Sequence, residues 1–172
     1  MLIPVFESYN APISYPIAAA LEALATAAAR NTGATDLNQP YGSGDSVGFV
    51  AGQICKIQSE SSATVVALPN SVNDDPFGIL ADGFVDTLKS GKASLYPLSF
   101  GGIYKVKECY DTAQSYTVNA KLTFIPTGTN AGYLTPATNY GSQPIVARVV
   151  EAPADASNDD LMVIEILYQV EV

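Results

Sequence analysis

Ser46 is the serine of this sequence that stands in a nucleophile-like motif, the segment Gly44-Asp45-Ser46-Val47. A serine hydroxyl attacks only when a neighbouring base takes its proton, and histidine is the usual base near neutral pH. The 172 residues contain no histidine. A phosphate-binding loop is also disfavoured, because neither a lysine nor a helix signal follows these glycines and Asp45 would repel phosphate. We interpret the segment as a flexible turn.

Two groups of carboxylates are candidates for cation binding or acid–base chemistry. Asp74 and Asp75 lie in one polar stretch, and Asp155, Asp159 and Asp160 lie near the C-terminus. Neither group has the spacing of a calcium-binding loop. A glycosidase-like acid pair leaves no motif, but the chain has no tryptophan or histidine to line a sugar site. We interpret both groups as solvated turns and predict no metal, no cofactor and no catalytic residue.

The two cysteines, Cys55 and Cys109, are far apart in the sequence. Neither has the neighbouring cysteines or histidines of a metal site or a redox motif. Free cysteines are among the residues most often buried. We therefore predict two buried thiols rather than a disulfide.

The charge pattern argues against two classes of partner. The net charge is −9, and the eight basic residues are scattered singly along the chain. Binding to phosphates or to an anionic membrane needs clustered basic residues. The sequence also has no run of apolar residues long enough for a membrane span. We predict no direct binding of nucleic acid and no membrane association.

The first 46 residues read as a separate N-terminal region. Prolines interrupt residues 1–15, which predicts an extended arm. Residues 16–30 are rich in alanine, begin with a proline and are followed by Gly33, which predicts one short α-helix. Residues 31–46 are rich in turn-forming residues and read as a linker.

From residue 47 the apolar residues recur at every second position, which is typical of half-buried strands. The clearest cases are 117–125, where Val118, Ala120, Leu122 and Phe124 share a face, and the apolar alternation of 161–172. Further candidate strands are 47–57, 62–68, 79–84, 93–98, 102–108 and 144–150. Many short strands separated by turn residues predict an all-β, antiparallel barrel or sandwich over 47–172.

Tyrosines are placed where an interface would use them. The chain has ten tyrosines and no tryptophan, and several tyrosines fall in the arm, the linker and the long loop 126–144. Tyrosine combines apolar area with a hydroxyl group and is enriched at interfaces, although ordinary packing within the chain is the alternative. The loop is too long for structureless slack, so we expect it to pack on a neighbour or to project functionally.

Residues 47–84 follow a pattern of strand, polar loop and strand. A strand opens with Gly-x-hydrophobic, a Thr/Val strand and a polar loop follow, and Pro76, Gly78, Ile79 and Leu80 then form Pro-x-Gly-hydrophobic-Leu. This pattern resembles the small β-barrel modules of the tailed-phage head decoration, or capsid cement, proteins. The later segments SFGGIYKVKE and PIVARVVEAP are similar to the continuing strands of that barrel.

The resemblance implies a structural virion protein, not an enzyme, that binds the outer surface of a phage capsid and stabilises contacts between capsomers. It implies that the partner is the major capsid protein and that the chain forms a homo-oligomer, with a trimer favoured. It also implies that the protein is made in the host cytoplasm and is located on the capsid surface of the virion. From the residues themselves, we expect the apolar arm to add a strand to a partner or to fill a groove on it. The predicted interface residues are Leu2, Ile3, Val5, Phe6, Tyr9, Tyr133 and Tyr140.

Two other hypotheses stay open at this point. The main alternative is a β-sandwich recognition module of a virion fibre or tail, in which loop 126–144 binds a receptor or a carbohydrate. An enzyme that works with carboxylates is the third.

Overall fold

The computed structural model of the chain describes residues 2–4, 12–19, 51–81, 91–107, 109–158 and 160–167. These residues form eleven β-strands and three single-turn 3-10 helices, so the prediction of an all-β fold is confirmed. The strands are β1 (Leu2–Pro4), β2 (Ile13–Pro16), β3 (Ile54–Glu60), β4 (Ala63–Ala67), β5 (Gly78–Leu80), β6 (Lys92–Pro97), β7 (Ile103–Val106), β8 (Lys121–Phe124), β9 (Leu134–Pro136), β10 (Ala147–Glu151) and β11 (Met162–Ile166). The 3-10 turns are Leu98–Phe100, Ala137–Asn139 and Ala156–Asn158.

The larger sheet has six strands in the order β1-β7-β11-β10-β8-β9, with antiparallel pairing throughout. β11 shows how the residue pattern determines which face of this sheet is buried. Met162, Ile164 and Ile166 are buried on the core side, and Glu165 between them is only half-buried. The predicted face of Met162, Ile164 and Ile166 is confirmed, because a period of two places every second side chain on the same side of the strand. Val163 on the other face is buried as well, and residues 168–172 of the predicted strand lie outside the described part of the chain.

The smaller sheet has five strands in the order β2-β6-β5-β3-β4 and curls into a half-barrel. A bridge between Ile17, just after β2, and Val66 of β4 joins the first strand to the last, and the Ala18 N–H donates to the Val66 carbonyl at 2.8 Å. This bridge is parallel, unlike the other pairs. Five strands that alternate in direction begin and end with the same direction, so only a parallel contact can join their ends.

The buried apolar residues in the described part of the chain form two clusters. We call the larger the main core: Ile54, Ile79, Leu98, Tyr104, Val106, Cys109, Tyr110, Tyr116, Leu122, Phe124, Leu134, Val146, Ala147, Val149, Met162, Ile164 and Ile166. We call the smaller the half-barrel core: Ala18, Cys55, Val65, Val66, Ala67, Leu80, Ala93 and Leu95.

Two strands of the half-barrel form a wall between these cores. In β3, Ile54 belongs to the main core and the next residue, Cys55, to the half-barrel core. In β5 the same alternation places Ile79 in the main core and Leu80 in the half-barrel core. In β3 both faces are buried only at Ile54–Cys55, and in β5 they are buried at Ile79–Leu80, so each of these pairs reads as adjacent apolar residues instead of an apolar–polar alternation.

The structure corrects the predicted N-terminal region. Residues 2–4 and 13–16, assigned to an extended arm and the start of a helix, are strands that pair with β7 and β6. Pro16, the predicted first helical residue, is the last residue of β2, and residues 20–30 lie outside the described part. The proposed division at residue 46 therefore does not separate the sheets, since each of them includes a strand from before it.

Two further expectations change. Val118 was predicted on the buried face of a strand over 117–125, but β8 begins only at Lys121, and Val118 is 58% exposed in a turn where Asn119 has φ +68°. The long loop 126–144 does not stand away from the chain, because it contains β9, which pairs with β8. Leu134 and Thr135 of β9 are fully buried.

No helix within the described residues is long and apolar enough to cross a membrane.

Candidate interaction surface

The predicted interface residues Leu2 and Ile3 lie in β1, at one edge of the six-stranded sheet. Leu2 is in register with Val106 and Ile3 with Lys105 of β7. Among the described strands, none pairs with the other side of β1. A strand in this position presents backbone N–H and C=O groups to which another extended segment can add.

Tyr133 and Tyr140 lie in the long loop, and both are half-buried. Tyr133 packs against the main core. Its backbone N–H donates to the Asn130 carbonyl at 3.0 Å, and its carbonyl accepts the Ile125 N–H at 2.8 Å. Tyr133 therefore contributes to the packing of its own chain, the alternative to an interface role.

The structure does not bring the predicted interface residues together in one place. Leu2 and Ile3 are in the first strand of the six-stranded sheet, whereas Tyr133 directly precedes β9, the last strand. Five strand spacings of about 4.8 Å put these edges about 24 Å apart. The remaining predicted residues, Val5, Phe6 and Tyr9, lie outside the described part of the chain.

A different set of apolar residues is exposed near a bulge in β10. The register of β10 against β11 shifts between Val149 and Glu151, so Val150 is the extra residue and is 38% exposed. Val118 lies close by, because the N–H of the following Asn119 donates to the Val149 carbonyl at 2.8 Å. Leu161, just before β11, is 44% exposed. We call Val118, Val150 and Leu161 the bulge patch.

Sequence reasoning missed the bulge patch for a physical reason. Val118, Val150 and Leu161 all stand in apolar runs that predict core strands. The bulge places Val150 on the solvent side, and the turn before β8 exposes Val118. Leu161 precedes β11 on the side opposite to the buried Met162 and Ile164. No residue type marks the bulge in advance, and only the register reveals it.

Asp74, a candidate for cation binding, organises its own loop. Its carboxylate accepts the N–H groups of Asn70 at 2.6 Å and Ser71 at 2.9 Å, and the Lys56 ammonium lies 2.9 Å from Oδ1. Partial burial by itself would raise the pKa of the Asp74 carboxyl, but these hydrogen bonds and the charge of Lys56 lower that pKa below its usual value. The arrangement ties the 69–78 loop to β3.

Function has to be inferred from this geometry and from the sequence. No family model matches the chain, and the search of curated proteins returned no match. The surfaces described above are therefore the basis for the proposals that follow.

The second carboxylate group also forms a turn. Asp155 Oδ1 accepts the N–H and the hydroxyl of Ser157 at 2.9 and 2.6 Å, and Asp160 Oδ2 accepts the Asp155 N–H at 3.0 Å. These contacts order the segment that carries the 3-10 turn Ala156–Asn158. Within the described residues, no three metal-ligating side chains are grouped closely enough to hold an ion.

Both cysteines are buried free thiols, as predicted. Cys55 belongs to the half-barrel core and Cys109 to the main core. Burial raises the pKa of the Cys55 thiol well above its ordinary value. The thiol therefore stays protonated at neutral pH and is a poor nucleophile.

Proposed function

We propose that this chain is a structural virion protein that binds the outer surface of a phage capsid and stabilises contacts between capsomers. In this proposal it acts as a homo-oligomer, with a trimer favoured, and its partner is the major capsid protein. It performs no chemistry. Its contribution to the particle is contact area between neighbouring subunits, repeated over many sites, so that weak individual contacts act together.

The observation that carries the proposal is the position of β1. One side of β1 pairs with β7, and no described strand occupies the other side. A sheet edge of this kind can accept an extended segment of a second protein through backbone hydrogen bonds. Each added segment would hold the six-stranded sheet against the capsid subunit to which the segment belongs.

The surface supplies further support. Only 15% of the residues are charged, against about 25% in an average domain. The bulge patch adds three exposed large apolar side chains at the far end of β10. A sparsely charged surface with exposed apolar groups is favoured where a partner covers it.

The test uses capsids of the source phage from which this protein has been removed. The full chain is added, sedimented with the capsids, and the temperature at which the capsids break open is measured with and without it. We expect saturable cosedimentation and a higher breakage temperature. A chain that begins at residue 12, and so lacks β1 but keeps β2, should bind at least about tenfold more weakly.

A matched control keeps β1 and removes apolar area elsewhere. Val72 is 44% exposed in the 69–78 loop, so Val72→Ser should leave capsid binding within about twofold of the full chain. Failure of the full chain to sediment with capsids would overturn the proposal. Binding with no gain in capsid stability would also count against it and would favour the recognition module.

A further inference from the structure

The outward face of the six-stranded sheet collects basic side chains from three strands. In β7, Tyr104 and Val106 are in the main core, so Lys105 and the following Lys107 are on the opposite, outward side. The same alternation puts Lys121 of β8 and Arg148 of β10 on this side, next to the buried Leu122 and Ala147. We call these four residues, Lys105, Lys107, Lys121 and Arg148, the basic face.

The strand register brings these side chains close together. Arg148 lies directly opposite Lys121 on one side and opposite Glu165 on the other. Lys105 lies opposite Val163 of β11, and Val163 lies opposite Glu151. Directly opposed residues in antiparallel strands have Cβ atoms about 5 Å apart. Lys121 and Arg148, 27 positions apart in the sequence, are therefore direct neighbours, and Lys105 lies two strands away from Arg148 on the same face.

The charge of this face is opposite in sign to that of the rest of the chain. Four bases against the two carboxylates Glu151 and Glu165 leave a local charge of +2, while the whole chain carries −9. The remainder of the chain thus carries −11. Half of the eight basic residues are placed on one sheet face, a concentration that their scattered positions in the sequence do not reveal.

Two of these bases are placed in an unfavourable way for the isolated sheet. Like charges directly opposite each other in a sheet destabilise it, and Arg148 and Lys121 are such a pair. Glu165 compensates Arg148 through an ion pair. No ion pair of Lys121 is found among the described residues, and its side chain is exposed. An acidic group brought by a partner would relieve this repulsion.

We infer that the basic face binds the acidic surface of a second copy of this chain in a head-to-tail contact. The charge that complements the basic face is present elsewhere on the same molecule, for example at Asp75, which is exposed in the 69–78 loop of the half-barrel. Val150 of the bulge patch is exposed beside the face and adds apolar area to the contact. A contact between two different surfaces of identical chains generates a ring when the rotation closes. This inference rests on the proposed homo-oligomer and names the surface that builds it.

The experiment measures self-association of the isolated full chain by sedimentation velocity over a range of concentrations and salt. We expect complexes larger than one chain whose dissociation constant rises with salt, because ions screen the contact. Lys121→Glu should weaken association at least about tenfold, and Lys105→Glu with Lys121→Glu should weaken it further. Circular dichroism and the unfolding temperature show whether each variant is folded.

The control is Lys92→Glu, which makes the same charge change at an exposed base of β6 in the half-barrel. It should leave the dissociation constant within about twofold. A labelled double variant mixed with wild type should still form mixed complexes, because its acidic surface is intact and can meet a wild-type basic face. Two double-variant molecules should not associate.

A full chain that is monomeric under all these conditions would overturn the inference. Equal weakening by Lys92→Glu and Lys121→Glu would do so as well, because the effect would then follow from net charge alone. If Lys121→Glu weakens capsid binding in the preceding assay while the wild type is a monomer, the face binds the capsid and not a second copy. The self-association experiment contains no capsids, whereas the test of the proposed function measures capsid binding. Failure of this inference is therefore distinguishable from failure of the proposed function.

Discussion

Gly132 is a residue whose replacement the fold should not tolerate. It has φ +84°, in the left-handed region that glycine adopts without strain. A Cβ built on it would overlap the carbonyl oxygen of Ile54, the residue whose N–H donates to the Gly132 carbonyl at 2.8 Å. This close approach holds the long loop against β3.

We expect Gly132→Ala to destabilise the protein by about 2–5 kcal/mol, which combines the strain of the left-handed backbone with overpacking against Ile54. Gly128→Ala is the matched control, because Gly128 has φ +88° in the same loop and nothing within 4 Å of its Cβ position. It should cost about 1–2 kcal/mol. Urea unfolding of both variants measures the difference, and equal losses would contradict the role assigned to the Ile54 contact.

At the scale of elements, period two predicted strands wherever one face of a sheet meets solvent. Ala63–Ala67, Lys92–Pro97 and Ile103–Val106 all lie within one or two residues of their predicted bounds. β1 and β2 were not predicted because prolines interrupt residues 1–16. Prolines argue against a helix, but they do not indicate with which strand an extended segment pairs. Pairing with β7 and β6 is a long-range property that local pattern does not contain.

The candidate surfaces were less predictable than the strands. Tyrosine is common at interfaces, but Tyr133 directly precedes β9 and packs against the main core. Lys105, Lys121 and Arg148 are isolated in the sequence, and only the register of the four strands β7, β11, β10 and β8 places them on one sheet face. Which residues share a surface depends on which strands pair and in what register. The surfaces can therefore be identified only once the fold is known.

The position of β2 makes a prediction about truncation. β2 carries Tyr15 and is followed by Ile17 and Ala18, all of which pack in the half-barrel core. The sequence predicted an extended arm over residues 1–15, outside the barrel or sandwich of residues 47–172. The structure indicates instead that loss of residues 1–16 opens the half-barrel and exposes Cys55, which is otherwise 0% exposed.

Thiol labelling followed by mass spectrometry measures this opening. A chain that begins at residue 17 should label rapidly at Cys55 under native conditions, by at least about tenfold over the full chain, while Cys109 in the main core stays protected. A chain that begins at residue 12 loses β1 but keeps β2, so it should protect both thiols. Protection of Cys55 in the chain that begins at residue 17 would show that β2 does not close the half-barrel.

At the scale of the whole molecule, the two cores are coupled because they share their wall. β3 and β5 each supply alternate residues to both cores, so loss of the main core also removes the support of the half-barrel core. Removing β2 is different, since no described residue of β2 belongs to the main core. The intact chain should therefore unfold as one cooperative unit, although a truncation can open one side of it.

This cooperativity is tested by labelling both thiols across a urea titration. In the full chain, Cys55 and Cys109 should become reactive at the same urea concentration. Leu122→Ala removes a fully buried side chain of the main core and should cost about 2–5 kcal/mol. It should shift both labelling midpoints together, as should Leu95→Ala in the half-barrel core. If Leu122→Ala shifts only Cys109, the two cores unfold independently, and the shared strands do not transmit stability between them.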